Sequence, residues 1–114
     1  STVINKSIVF NKAIVSSNGS SYQYHNHLKF HPDFDTFTDW TWVYYLQVPN
    51  NCEGADGKLF FRDNKDHRIT HTFFPEEGYI YAFDANLDHL PSLSRFSTKE
   101  RIVAAGNVIL NFEN

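Results

Sequence analysis

Two histidines flank an asparagine at His25-Asn26-His27, and a third histidine, His89, lies far along the chain. On a β-strand, side chains two residues apart point to the same face, so the first two imidazoles can act together. A distant strand can supply the third imidazole. Three imidazoles on one side of a metal ion leave other coordination positions open for a substrate. The spacing therefore predicts that His25, His27 and His89 are metal ligands.

Short strands account for most of the chain between these histidines. Residues 22–30 alternate strictly, which places His25 and His27 on one face. Residues 31–40 contain a proline, three aspartates and no helical period, which indicates a loop. Turn-forming residues separate the other segments. The predicted strands are 6–15, 22–30, 41–48, 58–62, 69–74, 79–83, 89–93 and 101–112, with turns at 16–20, 54–57, 63–66 and 75–78.

About eight short strands without an amphipathic helix indicate an all-β fold. The chain has 114 residues, 17% of them aromatic, and it forms one domain over residues 1–114. Polar side chains that face inward at a strand end suggest a closed barrel whose mouth holds a ligand. We therefore predict a double-stranded β-helix, that is, a jelly-roll or cupin-like barrel.

Composition excludes several classes of function. The net charge is −3 and Lys and Arg do not cluster, which argues against a nucleic-acid partner. A single cysteine, Cys52, excludes an internal disulfide, and no apolar run is long enough to indicate a membrane span. These features predict a cytoplasmic protein without a membrane partner. The sequence contains no Met, so we expect that Ser1 is not the natural start of translation.

Several short motifs occur in an order that resembles the Fe(II)- and 2-oxoglutarate-dependent oxygenases, in particular their prolyl-hydroxylase-like branch. The resemblance extends from about Gly19 to Asn107, and each motif alone is weakly specific. The residues that carry it are Gly19, Tyr22, His25-Asn26-His27, Val43-Tyr44-Tyr45-Leu46, Gly57-Lys58-Leu59-Phe60, Pro75-Glu76-Glu77-Gly78, His89 and Arg101.

The resemblance implies an Fe(II)- and 2-oxoglutarate-dependent dioxygenase that hydroxylates an unactivated carbon. Arg101 would bind the distal carboxylate of 2-oxoglutarate through two parallel hydrogen bonds, and Tyr45 would donate another. The substrate, a small molecule or a peptide, would lie across the loop at 30–40. The sequence does not name this substrate, and pairing of two copies into a homodimer is an open alternative.

One departure from the family pattern concerns the metal ligands. The family has a His-x-Asp pair, whereas this chain has His27 at the position of the acidic ligand. A rival alignment uses His31-Pro32-Asp33, which is a literal His-x-Asp. We rank the rival second, because His31 and Asp33 surround a proline and are typical of a turn.

Other interpretations of the same residues stay open. A cupin-like metal or small-ligand binding protein without oxygenase activity also explains a His-x-His pair and a later histidine, and zinc suits three histidines as well as iron. A non-catalytic jelly roll would make His25 and His27 ordinary surface residues, and Arg101 could pair with an acidic residue on the barrel wall. His67 and His71 are assigned to the surface. The loop aromatics, Phe34, Phe37, Trp40 and Trp42, are assigned first to packing.

Overall fold

The computed structural model describes residues 2–13 and 24–111, and within these ranges the chain is almost entirely β-structure. The one helical element there is a 3-10 helix at Pro32–Phe34. Among the described residues, no helix is long enough and apolar enough to cross a membrane. The strands are β1 (Thr2–Ala13), β2 (Phe30–His31), β3 (Thr36–Phe37), β4 (Trp40–Gln47), β5 (Leu59–Arg62), β6 (Ile69–Phe73), β7 (Ile80–Asp84), β8 (Asp88–Pro91) and β9 (Arg101–Asn111).

The larger sheet has four antiparallel strands in the order β1-β9-β4-β7. Strand β4 is rich in aromatic and β-branched residues, which favour this pleated surface. Tyr45 lies opposite Val103 of β9, and both side chains are buried. A register shift between Tyr45 and Gln47 places Leu46 as an extra residue, a β-bulge at the end of the β4–β9 ladder. Alternation therefore sends one face of β4 and β9 to the interior.

The smaller sheet has three antiparallel strands in the order β6-β5-β8 and packs against the larger one. Leu59 and Phe61 of β5 and Phe83 of β7 form the core between them, with Val43, Phe73 and Leu87 around it. The rings of Phe61 and Phe83 meet edge to face with centroids 5.0 Å apart. This contact joins the two sheets, and antiparallel pairing with β5 holds β8 at its place in the smaller sheet.

The closed barrel predicted from the sequence is not formed by the described strands. Their hydrogen bonds make two open sheets and a separate two-stranded ribbon, β2–β3. Face-to-face packing of apolar side chains encloses the core here, so the interior is shielded from water without a continuous ring of backbone hydrogen bonds. The prediction of an all-β chain is confirmed.

Two local predictions around the histidine pair are wrong. The predicted strand at 22–30 does not form one continuous strand. Within its described residues, 24–30, His25 makes an isolated β-bridge, and regular strand pairing begins only at Phe30. Asn26 explains the interruption, because its side-chain oxygen accepts a hydrogen bond from the backbone N–H of Leu28 and competes with ladder formation. Residues 31–40, predicted as a loop, contain the β2–β3 ribbon, in which Phe30 pairs with Phe37.

The expectation that the loop aromatics serve packing is also wrong in part. Phe37 and Trp40 leave about half of their surface exposed, at 51% and 45%. The predicted turn at 16–20 lies outside the described residues. The turns at 54–57 and 75–78 are present, and Gly57 and Gly78 adopt positive φ angles of 72° and 87°. Gly57 is also required sterically, since a Cβ there would lie 2.9 Å from the Cys52 Sγ.

Removal of the Phe61 ring tests the role of this core. Phe61→Ala deletes a buried ring in contact with both sheets, and we expect a loss of about 3–5 kcal/mol in the free energy of unfolding, measured by urea denaturation. Phe60→Ala is the matched control, because Phe60 points to the opposite face of β5 and is only partly buried. Equal losses for the two variants would contradict the assigned core.

Candidate metal centre

The His25-Asn26-His27 segment is held against β8 and the turn before it by backbone hydrogen bonds. The N–H of His25 donates to the carbonyl of His89 at 3.0 Å, and the N–H of His89 donates back to His25 at 2.9 Å. The N–H of His27 donates to the carbonyl of Ala85 at 2.8 Å. Directly opposed residues of an antiparallel pair project to the same face. The backbone thus places His25 beside His89, with His27 next to them.

The three imidazoles converge, as the sequence predicted. The Nε2 atoms of His27 and His89 are 3.3 Å apart, and the three potential ligand atoms all lie within 4.8 Å of one another. Two nitrogen ligands with bonds of about 2.1 Å to one metal lie roughly 3.0–3.4 Å apart at angles of about 90–110°. His27 and His89 already meet this spacing. The ring centroids of His25 and His89 are 4.2 Å apart, so the third imidazole lies beside the other two.

His89 is buried in a state suited to metal binding. Its ring packs against that of Phe83, with centroids 4.8 Å apart, and 5% of the residue is exposed. Burial lowers the pKa of His89 to about 4, and it also lowers the pKa of His27. The Nδ1 of His89 donates to the carbonyl of Leu87 at 3.1 Å, which leaves the lone pair of a neutral ring on Nε2. The lone pair therefore points at His27.

Asp88 supports the same segment and was not singled out by the sequence analysis. Its carboxylate accepts hydrogen bonds from the Asn26 Nδ2 at 2.9 Å and from the Arg62 Nε at 3.0 Å. The hydrogen bond from Asn26, together with Arg62, lowers the pKa of Asp88. No local sequence pattern marks Asn26, Arg62 and Asp88 as partners, because they meet only after the segment has docked on β8.

A cavity of about 380 Å³ opens from the three imidazoles. Arg101 and Tyr45 both line this cavity, and both are buried. Burial raises the pKa of Tyr45 to about 12, and the nearby Arg101 charge opposes this rise, so the phenol keeps its proton. The volume lies near the lower end for small-molecule sites. The remaining lining residues are Thr41, Val43, Leu59, Phe83, Pro91, Val103, Ala105, Gly106 and Asn107.

The rival ligand pair lies apart from the three imidazoles. The His31 Nε2 is 2.7 Å from the Thr38 Oγ1, and Asp33 is exposed in the 3-10 helix. Neither residue belongs to the group of convergent ligand atoms found in the described ranges. Both line a second cavity of about 720 Å³, which shares His27 and Asn107 with the first.

The remaining motif residues have simpler positions. Gly19 and Tyr22 lie outside the described residues. His67 and His71 are exposed, in agreement with their assignment to the surface. Glu76 and Glu77 are exposed in the turn before β7.

Comparison with known proteins gives a distant structural similarity. No protein-family model matches the chain, and no curated protein matches it. Among solved structures, the chain is similar to Fe(II)-HppE with the alternative substrate (S)-1-HPP, at a TM-score of 0.48 and 8% identity over 88% of this chain. It is also similar to hydroxypropylphosphonic acid epoxidase from S. wedmorenis in complex with fosfomycin, at 0.47 and 10% over 88%. The chain spans 40% and 42% of those two chains. Site geometry alone supports the function proposed below.

Burial of neutral His89 makes stability depend on pH. Its pKa rises from about 4 in the folded state to 6.5 in the unfolded state, so the unfolded state takes up the proton first as the pH falls. The contribution of neutral His89 to the free energy of unfolding is complete above pH 6.5 and is lost progressively as the pH falls toward 4. We expect a loss of about 2 kcal/mol between pH 7.5 and pH 5, measured by urea denaturation of metal-free protein. His89→Gln should flatten this dependence, and an unchanged slope in that variant would exclude His89 as its source.

Proposed function

We propose that this chain is a non-haem Fe(II)- and 2-oxoglutarate-dependent dioxygenase that hydroxylates a small-molecule or peptide substrate, and that its two open sheets are the two faces of a double-stranded β-helix. One observation supports the proposal most directly: three convergent imidazoles line one small cavity together with Arg101 and Tyr45. Metal ligands and a carboxylate-binding pair are the two elements that such a reaction requires from the protein. The proposal is supported because His25, His27, His89, Arg101 and Tyr45 all line this cavity.

The histidines suit Fe(II) chemically. Neutral imidazoles bind divalent iron well, and a set of ligands confined to one side leaves positions open. His25, His27 and His89 would hold the ion, with the His89 ring oriented by the Leu87 carbonyl. Dioxygen would be the oxidant, and bound Fe(II) would supply its activation: one oxygen atom would go to the substrate carbon as a hydroxyl group, and the other to 2-oxoglutarate, which would leave as succinate and CO2. The protein itself provides orientation, charge and exclusion of water.

Arg101 and Tyr45 suit the distal carboxylate of the keto acid. Val103 lies directly opposite Tyr45, and Arg101 is two residues from Val103 on the same face of β9, so the two side chains are diagonal neighbours. A guanidinium can donate two parallel hydrogen bonds to a carboxylate, and the protonated phenol can donate a third. Arg101 would thus bind and orient one end of the keto acid, while its other end faces the imidazoles.

The cavity walls would restrict water near the reacting atoms. Apolar Val43, Leu59 and Phe83 form the side opposite solvent, and they belong to the core between the sheets. A dry wall strengthens the hydrogen bonds and charges within the site. The wider cavity that shares His27 and Asn107 offers a route for the substrate, and it is lined by the β2–β3 region that the sequence assigned to substrate binding.

A cupin-like metal or small-ligand binding protein is the second candidate. The specific observation in its favour is the third histidine, since an all-imidazole set suits Zn(II) as well as Fe(II). Anaerobic titration separates the two functions. An Fe(II)–2-oxoglutarate complex develops a visible charge-transfer band, whereas a binder without keto-acid affinity does not.

The choice of metal ligands predicts opposite results for two substitutions. His27→Ala removes an imidazole whose Nε2 is 3.3 Å from that of His89, so we expect loss of Fe(II) binding in an anaerobic titration. Asp33→Ala changes an exposed residue outside the convergent group and should leave Fe(II) affinity unchanged. The reverse pattern would support the rival alignment on His31 and Asp33.

Arg101 provides the test of keto-acid binding. Loss of one bidentate, charge-assisted pair costs about 1.5–3 kcal/mol, so Arg101→Ala should weaken 2-oxoglutarate binding roughly tenfold to a hundredfold, followed through the charge-transfer band. Fe(II) affinity measured without the keto acid should stay unchanged. Arg101→Lys keeps the charge but loses the planar fork, and should recover only part of the loss. If the parent binds Fe(II) but no keto acid, the protein is a cupin-like binder.

A further inference from the structure

We infer that Asp88 is a positioning residue for the metal centre: it holds Asn26 and Arg62 so that His25 and His27 face His89. The inference rests on the proposed metal site for its consequence, but its structural basis is independent of any ion. Each carboxylate oxygen has a different partner. Oδ1 accepts from Asn26 at 2.9 Å, and Oδ2 accepts from Arg62 at 3.0 Å. We call these three residues the Asp88 bracket.

The alternation of side chains explains how the bracket aims the histidines. Asn26 lies between His25 and His27, so in an extended segment its side chain points away from both. Drawing Asn26 toward Asp88 therefore turns the two imidazoles to the opposite side. Asp88 and His89 are likewise neighbours on β8 and point to opposite faces. The bracket occupies one face of the β8 contact, and the three imidazoles occupy the other.

The segment that carries the histidines has little regular structure to fix it otherwise. Residues 26–29 belong to no strand, and only His25 forms a β-bridge. Arg62 makes a second contact with this region of the chain, a cation–π contact in which its guanidinium carbon lies 4.2 Å from the centroid of the Tyr24 ring. Arg62 also comes from β5, which is anchored in the core through Phe61. The bracket thus connects an irregular segment to a strand that is anchored in the buried core.

Asp88 has the burial and local order that positioning requires. Only 8% of its surface is exposed, and its backbone N–H donates to the Asn64 Oδ1 at 3.0 Å. A buried carboxylate is costly unless both oxygens are satisfied, so its partners are held firmly. Loss of one partner should therefore alter the position of the histidine segment as well as the local hydrogen bonding.

Asp88→Asn is the main test, with Asp56→Asn as its matched control. Asp56 is equally buried and also accepts from an arginine Nε at 3.0 Å, from Arg95, but it does not line the histidine cavity. In Asp88→Asn the amide cannot accept from both Asn26 and Arg62. We expect Fe(II) affinity to fall about tenfold to a hundredfold, measured anaerobically against a chromophoric chelator. Asp56→Asn should leave Fe(II) affinity unchanged.

Amide hydrogen exchange in metal-free protein gives the second readout. We expect exchange at the N–H groups of His25 and His27 to accelerate at least tenfold in Asp88→Asn, with Val103 in β9 unaffected. The exchange experiment is decisive even if the parent binds no Fe(II), which would refute the proposed function alone. Asn26→Ala changes an exposed residue and should reproduce both effects if Asp88→Asn does not fold.

A double variant that combines Asn26→Asp with Asp88→Asn tests the mechanism by rescue. The amide introduced at position 88 can donate to the carboxylate introduced at position 26 and accept from Arg62, so the donor and acceptor pattern is restored with the charge retained. We expect Fe(II) affinity and amide protection to return toward the parent values. The inference is overturned if Asp88→Asn behaves like Asp56→Asn, or if exchange accelerates while Fe(II) affinity stays unchanged.

Discussion

Two backbone hydrogen bonds between His25 and His89 are the constraint on which the site depends. They are 3.0 and 2.9 Å long and join a segment without regular structure to β8. Strand β8 is in turn paired with β5, whose Phe61 ring is buried against Phe83. The position of the imidazoles is therefore set by a core made of apolar side chains from both sheets. The bridge places His25 beside His89, and the hydrogen bond from His27 to Ala85 keeps His27 next to them.

The sequence could predict the parts of this arrangement that depend on local pattern. Strand β4 was predicted at 41–48 and is found at Trp40–Gln47, because its aromatic and β-branched residues suit a half-buried strand. Tyr45 and Arg101 were proposed from the family resemblance, and both line the cavity beside the imidazoles. The convergence of the imidazoles was also predictable, since His25 and His27 are two residues apart and a distant strand carries the third.

Other parts depend on contacts between distant residues and could not be read from a pattern. The strand expected over 22–30 is interrupted because the Asn26 side chain bonds to Leu28 and to Asp88, 62 residues away. The closed barrel was expected from the number of strands and from polar side chains that face inward, but neither feature determines whether the edge strands pair with each other. Arg62 and Asp88 looked like ordinary charged residues of a turn and a strand end, and their role follows only from the docked position of the histidine segment.

Three neutral metal ligands favour a negatively charged molecule in the cavity. An imidazole brings no charge, so a divalent ion held by His25, His27 and His89 keeps both of its positive charges, whereas a carboxylate ligand would cancel one. The described residues that line the cavity include no aspartate or glutamate. Positive charge in a partly apolar cavity is costly until an anion balances it. A dianionic keto acid would supply that balance, so the metal and the keto acid should each increase the affinity for the other by the same factor.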